Sequence, residues 1–318
     1  MSRRVRRTIF YIFLVIFLIL TPAIIFYALG YSLDLEKRTI VATGGIYLKS
    51  MPSGADIYID NKSSGKTTKF IKHLLPKIYD LKITKTDFYP WEKKLTVEAE
   101  LVAKATNILL IPSNPKISLK ATESEEYLSF INPDKEELYY ISKNNLYRIK
   151  DKKLLMQNVA NYVIYKDGII YLDNVSGKIF ELDLTILNSA QMFEQVFPSL
   201  NQGKWILSND NKKLLCQKDK AVEILWLDNT TNNSITRKKG DMEKIELGRT
   251  INEVIWYPKT DEHLIIATDN SIIITELDNR LPRNTFNFIS TDNPQIKYDA
   301  EKKILYFLSQ NKLYQTEL

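Results

Sequence analysis

The chain has 318 residues, 44% hydrophobic and 26% charged, with only 10 glycines and 11 prolines; this is a globular balance with room for two domains, and it excludes collagen-like or low-complexity chain. The formal charge of +6 is local, since Arg3, Arg4, Arg6 and Arg7 carry four of it and leave two for residues 8–318. With no basic stripe and no recognition motif, nucleic acid is excluded as a partner, and the single cysteine, Cys216, excludes a disulfide framework and any multi-cysteine metal site.

Residues 8–29 (TIFYIFLVIFLILTPAIIFYAL) carry no charge, and about 20 apolar residues suffice to cross a hydrocarbon core of about 30 Å. The stretch is longer than a signal-peptide core, no small-x-small site closes it and no lipobox cysteine follows, so an uncleaved single-pass anchor is expected in the lipid bilayer. Pro22 is tolerable within it and Tyr27 and Tyr31 fall at an interfacial level. Four arginines before the span against Lys37 and Arg38 after it place residues 1–7 in the cytoplasm and the bulk of the chain outside the cell membrane.

Residues 30–42 read as a linker ending at Gly44-Gly45. The runs IYLKS, ADIYID, YDLKITK and KKLTVEAE then alternate between turns, which predicts four or five strands in a small sandwich over residues 43–112. Pro52 and Gly54 suit a tight turn, and Ile57 and Ile59 should face opposite to Tyr58 and Asp60. The series Pro52-Ser53-Gly54-Ala55, Ile57-Tyr58-Ile59-Asp60, Gly65-Lys66-Thr67 and Leu75-Pro76 before Tyr79-Asp80-Leu81-Lys82-Ile83 resembles a PEGA domain, with Ser53 in place of the motif's Glu, Lys77 where a glycine is usual and Asp87-Phe88-Tyr89 for the closing Gly-Tyr. The resemblance implies an extracytoplasmic spacer or binding module and carries over no catalytic residue.

Over residues 113–318 a charged turn, an apolar strand, a polar turn and a second strand recur. Taking Leu138, Ile169, Leu214, Leu264 and Ile304 as equivalent positions, the spacings are 31, 45, 50 and 40 residues, near the 40 to 45 of a propeller blade. The expected fold class is therefore all-β: an N-terminal transmembrane helix, a PEGA-like β-sandwich and a β-propeller of about five blades, resembling WD40-like and TolB-like propellers in rhythm alone. A curled two-sheet sandwich is the competing reading.

Chemistry-bearing motifs are sparse. His73 and His263 fall in different domains with no nucleophile elbow near them, which disfavours a His-dependent triad. Glu123-Ser124-Glu125-Glu126 reads as a solvated loop, and Asn209-Asp210-Asn211 reads as a turn lacking a calcium loop's ligands. Trp205, Trp226 and Trp256 read as blade core, as does Cys216 between apolar neighbours. The candidate binding residues are Tyr89 and Trp91, an aromatic pair around Pro90 that could stack on a sugar, with a ring packed between the small domain and the next as the alternative. No cofactor is expected. The sequence reads as a non-enzymatic, membrane-anchored binding or scaffolding protein of the cell envelope, for an envelope polymer or a surface protein; the alternative is a propeller enzyme acting on cell-surface polysaccharide.

Overall fold

The computed structural model describes residues 3–34, 38–121, 130 and 138–318. Two compact units emerge, one of residues 1–110 with the segment Asn279–Pro282, the other of residues 111–278 and 283–318. The acidic stretch Glu123-Ser124-Glu125-Glu126 lies outside the described residues.

The first unit begins with the helix Arg3–Ala28, which contains Pro22 and is long and apolar enough to cross a membrane. Part of the expected linker is ordered as a ribbon, Tyr31–Asp34 antiparallel to Thr39–Ala42. The main chain of Thr43 donates to the Gly30 carbonyl at 2.8 Å and its hydroxyl donates to the same oxygen at 2.5 Å, so the ribbon is closed at its base.

Two sheets follow, ordered Lys69–Leu74, Gly44–Met51, Val102–Leu109 and Lys62–Lys66, Asp56–Ile59, Lys77–Thr84, Trp91–Val97. Seven strands thus replace the expected four or five. The extra ones include KSSGK, which buries no residue, and VAKATNIL, which buries Ala105, Ile108 and Leu109 without strict alternation, so neither leaves a period-two trace. Ile57 and Ile59 point inward together with Tyr79, Leu81 and Ile83, as the alternation predicts. Gly54 adopts φ +74°, the left-handed region the turn requires. At Ser53 it is the main-chain carbonyl, common to any residue, that accepts from Lys85 Nζ at 2.9 Å; one departure from the PEGA pattern has a local use, since Lys77 Nζ pairs with Asp60 at 2.6 Å. That pairing, through the Lys77 hydrogen bond against a smaller effect of burial, holds the Asp60 carboxyl below its ordinary value.

Trp91 requires a correction. The strand Trp91–Val97 alternates strictly, burying Trp91, Lys93, Leu95 and Val97, and Trp91 is only 2% exposed in the sandwich core. Its ring therefore presents no stacking platform, and Tyr89 beside it is half-buried. Lys93 is buried on the same face because its ammonium donates to the Arg280 and Pro282 carbonyls at 2.8 and 2.9 Å, satisfying a charge that would otherwise be costly to bury.

In the second unit the strands form five consecutive antiparallel sheets. In the first, Tyr139–Ser142, Asn145–Arg148 and Leu154–Met156 are described; the second holds Val159–Tyr165, Gly168–Asp173, Ile179–Asp183 and Asn188–Gln191. The third holds Lys204–Leu207, Lys213–Gln217, Ala221–Trp226 and Met242–Glu246, with the hairpin Thr230–Asn232, Ile235–Arg237 inserted; the fourth is the meander Ile251–Trp256, His263–Thr268, Ser271–Glu276, Thr285–Ser290. The last sheet, Gln295–Asp299, Ile304–Ser309 and Lys312–Glu317, takes its outer strand from Ser118–Ala121 at the start of the unit. This is a five-bladed propeller closed by pairing the beginning of the unit with its last strand.

Radial stacking explains the sequence texture. Leu214, Cys216 and Leu225 of the third blade pack on Ile170, Leu172 and Ile179 of the second, whereas Leu215, Ile224 and Trp226 pack on Val254, Leu264 and Ile266 of the fourth. Both faces of a blade are buried, so middle strands such as AVEILW are buried throughout and apolar but for Glu223. The repeat positions Ile169, Leu214 and Ile304 all fall in the second strand of their blades, as does Leu264.

Candidate functional site

The innermost strands of the second to fifth blades line a cavity of 1210 Å³. Its wall is built by Val163, by Lys204, Trp205, Ile206 and Leu207, and by the strand from Asn252 to Trp256, with Gln295, Ile296, Lys297 and Tyr298 from the last blade. Trp205 and Trp256 are buried and anchor the wall, their indole N–H groups donating to the Leu200 and Ile206 carbonyls at 3.0 and 3.3 Å.

A repeated device sets the blades in register. Asn161 Nδ2 donates to the Gly203 carbonyl at 2.8 Å, just ahead of the third blade's inner strand. Asn252 Nδ2 donates to the Thr268 carbonyl at 3.0 Å and reaches the Pro294 carbonyl at 3.5 Å, just ahead of the fifth blade's inner strand. Each asparagine sits at a break in strand register, Val159 to Asn161 and Ile251 to Glu253, where a bulge turns its amide toward the next blade. The same five-residue pattern carries both: Asn161-Tyr162-Val163-Ile164-Tyr165 and Asn252-Glu253-Val254-Ile255-Trp256. Gly203, at φ +113°, holds the receiving turn; a Cβ there would strike the Gln217 carbonyl oxygen.

Among the described lining residues the charge is one-sided: Lys204, Lys259, Lys297 and Lys303 line the cavity against one carboxylate, Glu253. Glu253 Oε1 lies 3.7 Å from Lys204 Nζ, and Oε2 accepts the Ile296 N–H at 3.0 Å, so this carboxylate ties together three inner strands. Lys259 donates to the Leu318 carbonyl. Lys297 and Lys303 are exposed and have no ion-pair or hydrogen-bond partner among the described residues. Tyr298 is half-buried, and burial, followed by the neighbouring Asp299 charge, pushes its phenol up. Burial, with Tyr298 as a smaller influence, pushes Tyr257 behind it to about 12, so both rings stay neutral at physiological pH.

A second polar cluster is buried between the third and fourth blades. Lys213, with a side chain 1% exposed, places Nζ 3.0 Å from Glu262 and 3.7 Å from Asp210, with the Trp256 ring centroid at 5.8 Å. Asn232 donates to the same Glu262 carboxylate at 2.6 Å. Burial raises the Glu262 carboxyl above its ordinary value despite the ammonium beside it. Asp210 ends below its ordinary value, because the effect of burial is outweighed by the Ser208 hydroxyl, the Lys212 amide and the adjacent lysines.

The two histidines belong to different units. His73 lies in the strand Lys69–Leu74 with its ring stacked on Tyr27 at 4.1 Å, and buried His263 opens a blade strand edge-to-face with Tyr257 at 6.2 Å. Asn209-Asp210-Asn211 forms a turn, with the Asp261 carboxylate accepting the Asn209 and Asp210 N–H groups at 3.0 Å each. No cluster of three or more metal-ligating side chains occurs among the described residues. Sequence reasoning missed the whole cavity wall; its one legible trace is the recurrence of Asn-x-Val-Ile-aromatic.

Comparison with known proteins agrees with the first unit's architecture: residues 43–110 match the PEGA domain family. A search of curated proteins finds no match to the sequence. Among solved structures, the chain is similar to the extracellular domain of a B. thetaiotaomicron protein assigned as a hybrid two-component system, at 10% identity and TM-score 0.35, covering 90% of this chain and 31% of that one. It is also similar to the β-propeller domain of Cps50 (Swd1) from Myceliophteria thermophila, at 13% identity and TM-score 0.32, covering 78% of this chain and 67% of that one. The chain spans about a third of the length of the first of these, at the 31% given. The chain thus carries a PEGA domain at residues 43–110, behind an apolar N-terminal helix and ahead of a β-propeller.

Proposed function

We propose that this chain is a membrane-anchored binding protein of the cell envelope, with residues 1–7 in the cytoplasm and the PEGA domain and propeller outside. The observation that carries the reading is the open, cation-lined cavity of 1210 Å³ in a propeller whose chain begins with an apolar helix of 26 residues. Rigid blades fix the inner strands, and their loops and rims are free to vary for recognition. The helix would hold this surface at high local concentration near the envelope, so that modest affinity suffices.

The alternative, an envelope glycosidase, receives less support. Glycoside cleavage generally uses two carboxylates about 5 to 9.5 Å apart, whereas Glu253 is the one carboxylate among the described lining residues and is already held by Lys204 and the Ile296 amide. The test is a photo-crosslinking amino acid placed at Gln295, in the cavity wall, or at Val175, exposed on another loop, in living cells. Adducts from Gln295 that are absent from Val175 support recognition through the cavity. Equal or no adducts from the two positions would refute it.

A further inference from the structure

We propose that the propeller cavity binds a segment of an anionic glycan, sugar units bearing carboxylate or phosphate groups, with Lys297 and Lys303 as its principal charge contacts. The inference rests on the binding-protein reading and supplies the ligand class for the same cavity.

Size, charge and hydrogen-bonding capacity point the same way. At 1210 Å³ the cavity exceeds the about 300 to 1,000 Å³ typical of small-molecule pockets, which fits a stretch of polymer better than a single metabolite. Among the described lining residues four lysines face one carboxylate, although residues 8–318 carry a formal charge of only two. That single carboxylate is occupied by Lys204 and a backbone amide, and Lys259 is held by the Leu318 carbonyl, so the wall's own acid does not neutralise Lys297 and Lys303. Low-dielectric walls bearing one sign of charge focus the field and concentrate oppositely charged ligands.

The neutral groups distinguish a sugar from a bare anion. Gln295 brings a side-chain amide to the wall, able to donate to and accept from hydroxyls, and Asn209, whose Nδ2 is held by Asp261 at 2.8 Å, adds its amide oxygen as an acceptor. Tyr298 contributes a half-buried ring to the wall, and an aromatic face packs against the apolar face of a pyranose.

The test uses the full chain in detergent micelles, titrated with a polyuronate, a polyglycerol phosphate, neutral dextran and a single-stranded oligonucleotide, and read by tryptophan fluorescence, to which Trp205 and Trp256 of the cavity wall contribute. Binding of one or both of the first two, with dextran and oligonucleotide at least tenfold weaker, is expected; which of the two binds tells carboxylate from phosphate. Lys297→Gln/Lys303→Gln should raise Kd about tenfold, equivalent to about 1.4 kcal/mol, while Lys244→Gln, at an exposed lysine paired with Glu246 outside the cavity, should leave it unchanged. Unchanged affinity in the double variant, equal binding of dextran or oligonucleotide, or no binding of either anionic glycan would overturn the inference. Gln295 adducts to a protein in cells, alongside no glycan binding in the titration, would retire this inference and leave the binding-protein reading standing.

Discussion

Replacing Lys213 by Met isolates the energetics of the buried charge cluster that joins the third and fourth blades. The thioether chain fills nearly the same space as the lysine stem, so the cavity term is small. What is lost is the ammonium 3.0 Å from Glu262 and 3.7 Å from Asp210. At an effective dielectric constant of about 20 the nearer pair alone has a gross Coulomb energy of roughly 5 kcal/mol, and stranding one partner of a buried pair costs about 3 to 5 kcal/mol. For a unit of this size that is a fall in Tm of about 6 to 20 °C. Glu262 is already raised by burial, and removing Lys213 takes away the largest influence that lowers it. A carboxyl whose folded pKa lies above its unfolded value keeps the folded state fully stable at pH below the unfolded value and destabilises it as the pH rises through the folded one. The Lys213→Met penalty should therefore be small near pH 4 and full by pH 8. Thermal melts followed by tryptophan fluorescence across that range measure it, with Lys213→Met/Glu262→Gln expected to recover most of the loss at pH 8. A pH-independent penalty, or one below about 0.5 kcal/mol at pH 8, would refute the reasoning, since the latter is the scale of an ordinary surface substitution.

Other consequences follow from single positions. Trp91→Ala should cost about 3 to 5 kcal/mol in the PEGA unit without altering ligand affinity, since Trp91 is 2% exposed in that unit's core; weakened ligand binding by a folded variant would return Trp91 to the list of contact residues. Gly203→Ala forces a Cβ onto the Gln217 carbonyl at φ +113° and should destabilise the propeller by about 1 to 3 kcal/mol in chemical denaturation; a neutral result would contradict the geometry of that turn. Leu119→Pro removes an N–H at the position paired with Tyr314, so amide exchange in the strand Lys312–Glu317 should accelerate, and stability should drop by about 1 to 3 kcal/mol; unchanged exchange there would argue against closure by this strand. Cys216 is fully buried and its thiol is pushed up by burial, so the folded chain should resist maleimide at pH 7 and react on unfolding.

Much of the fold was legible because burial leaves a periodic trace. The strands Trp91–Val97 and Lys77–Thr84 bury one face each and alternate visibly, and the blade strands around Leu214 and Leu264 bury both faces and read as apolar runs. The inner strands were hidden for the opposite reason. In INEVIW one side chain is a bulged interblade clamp, the next lines the cavity and others are core, so neither periodicity survives. The cavity's charge was equally invisible, because Lys204, Lys297 and Lys303 are scattered over about 100 positions and only radial closure brings them to one wall. Trp91 shows the converse: an aromatic next to a proline suggested an exposed platform, although its place in an alternating strand already set it inward with Leu95 and Val97.

The claim that the propeller stands outside a membrane crossed by the N-terminal helix is tested most directly by labelling intact cells with a membrane-impermeant maleimide. Val175 lies in a loop and is 78% exposed, and the parent chain's own Cys216 is buried, so Val175→Cys adds one reactive thiol to a silent background. Val175→Cys is predicted to label in intact cells and Ser2→Cys only after permeabilisation. The reverse pattern, with Ser2→Cys reacting in intact cells and Val175→Cys protected until lysis, would put the propeller in the cytoplasm and contradict the envelope function.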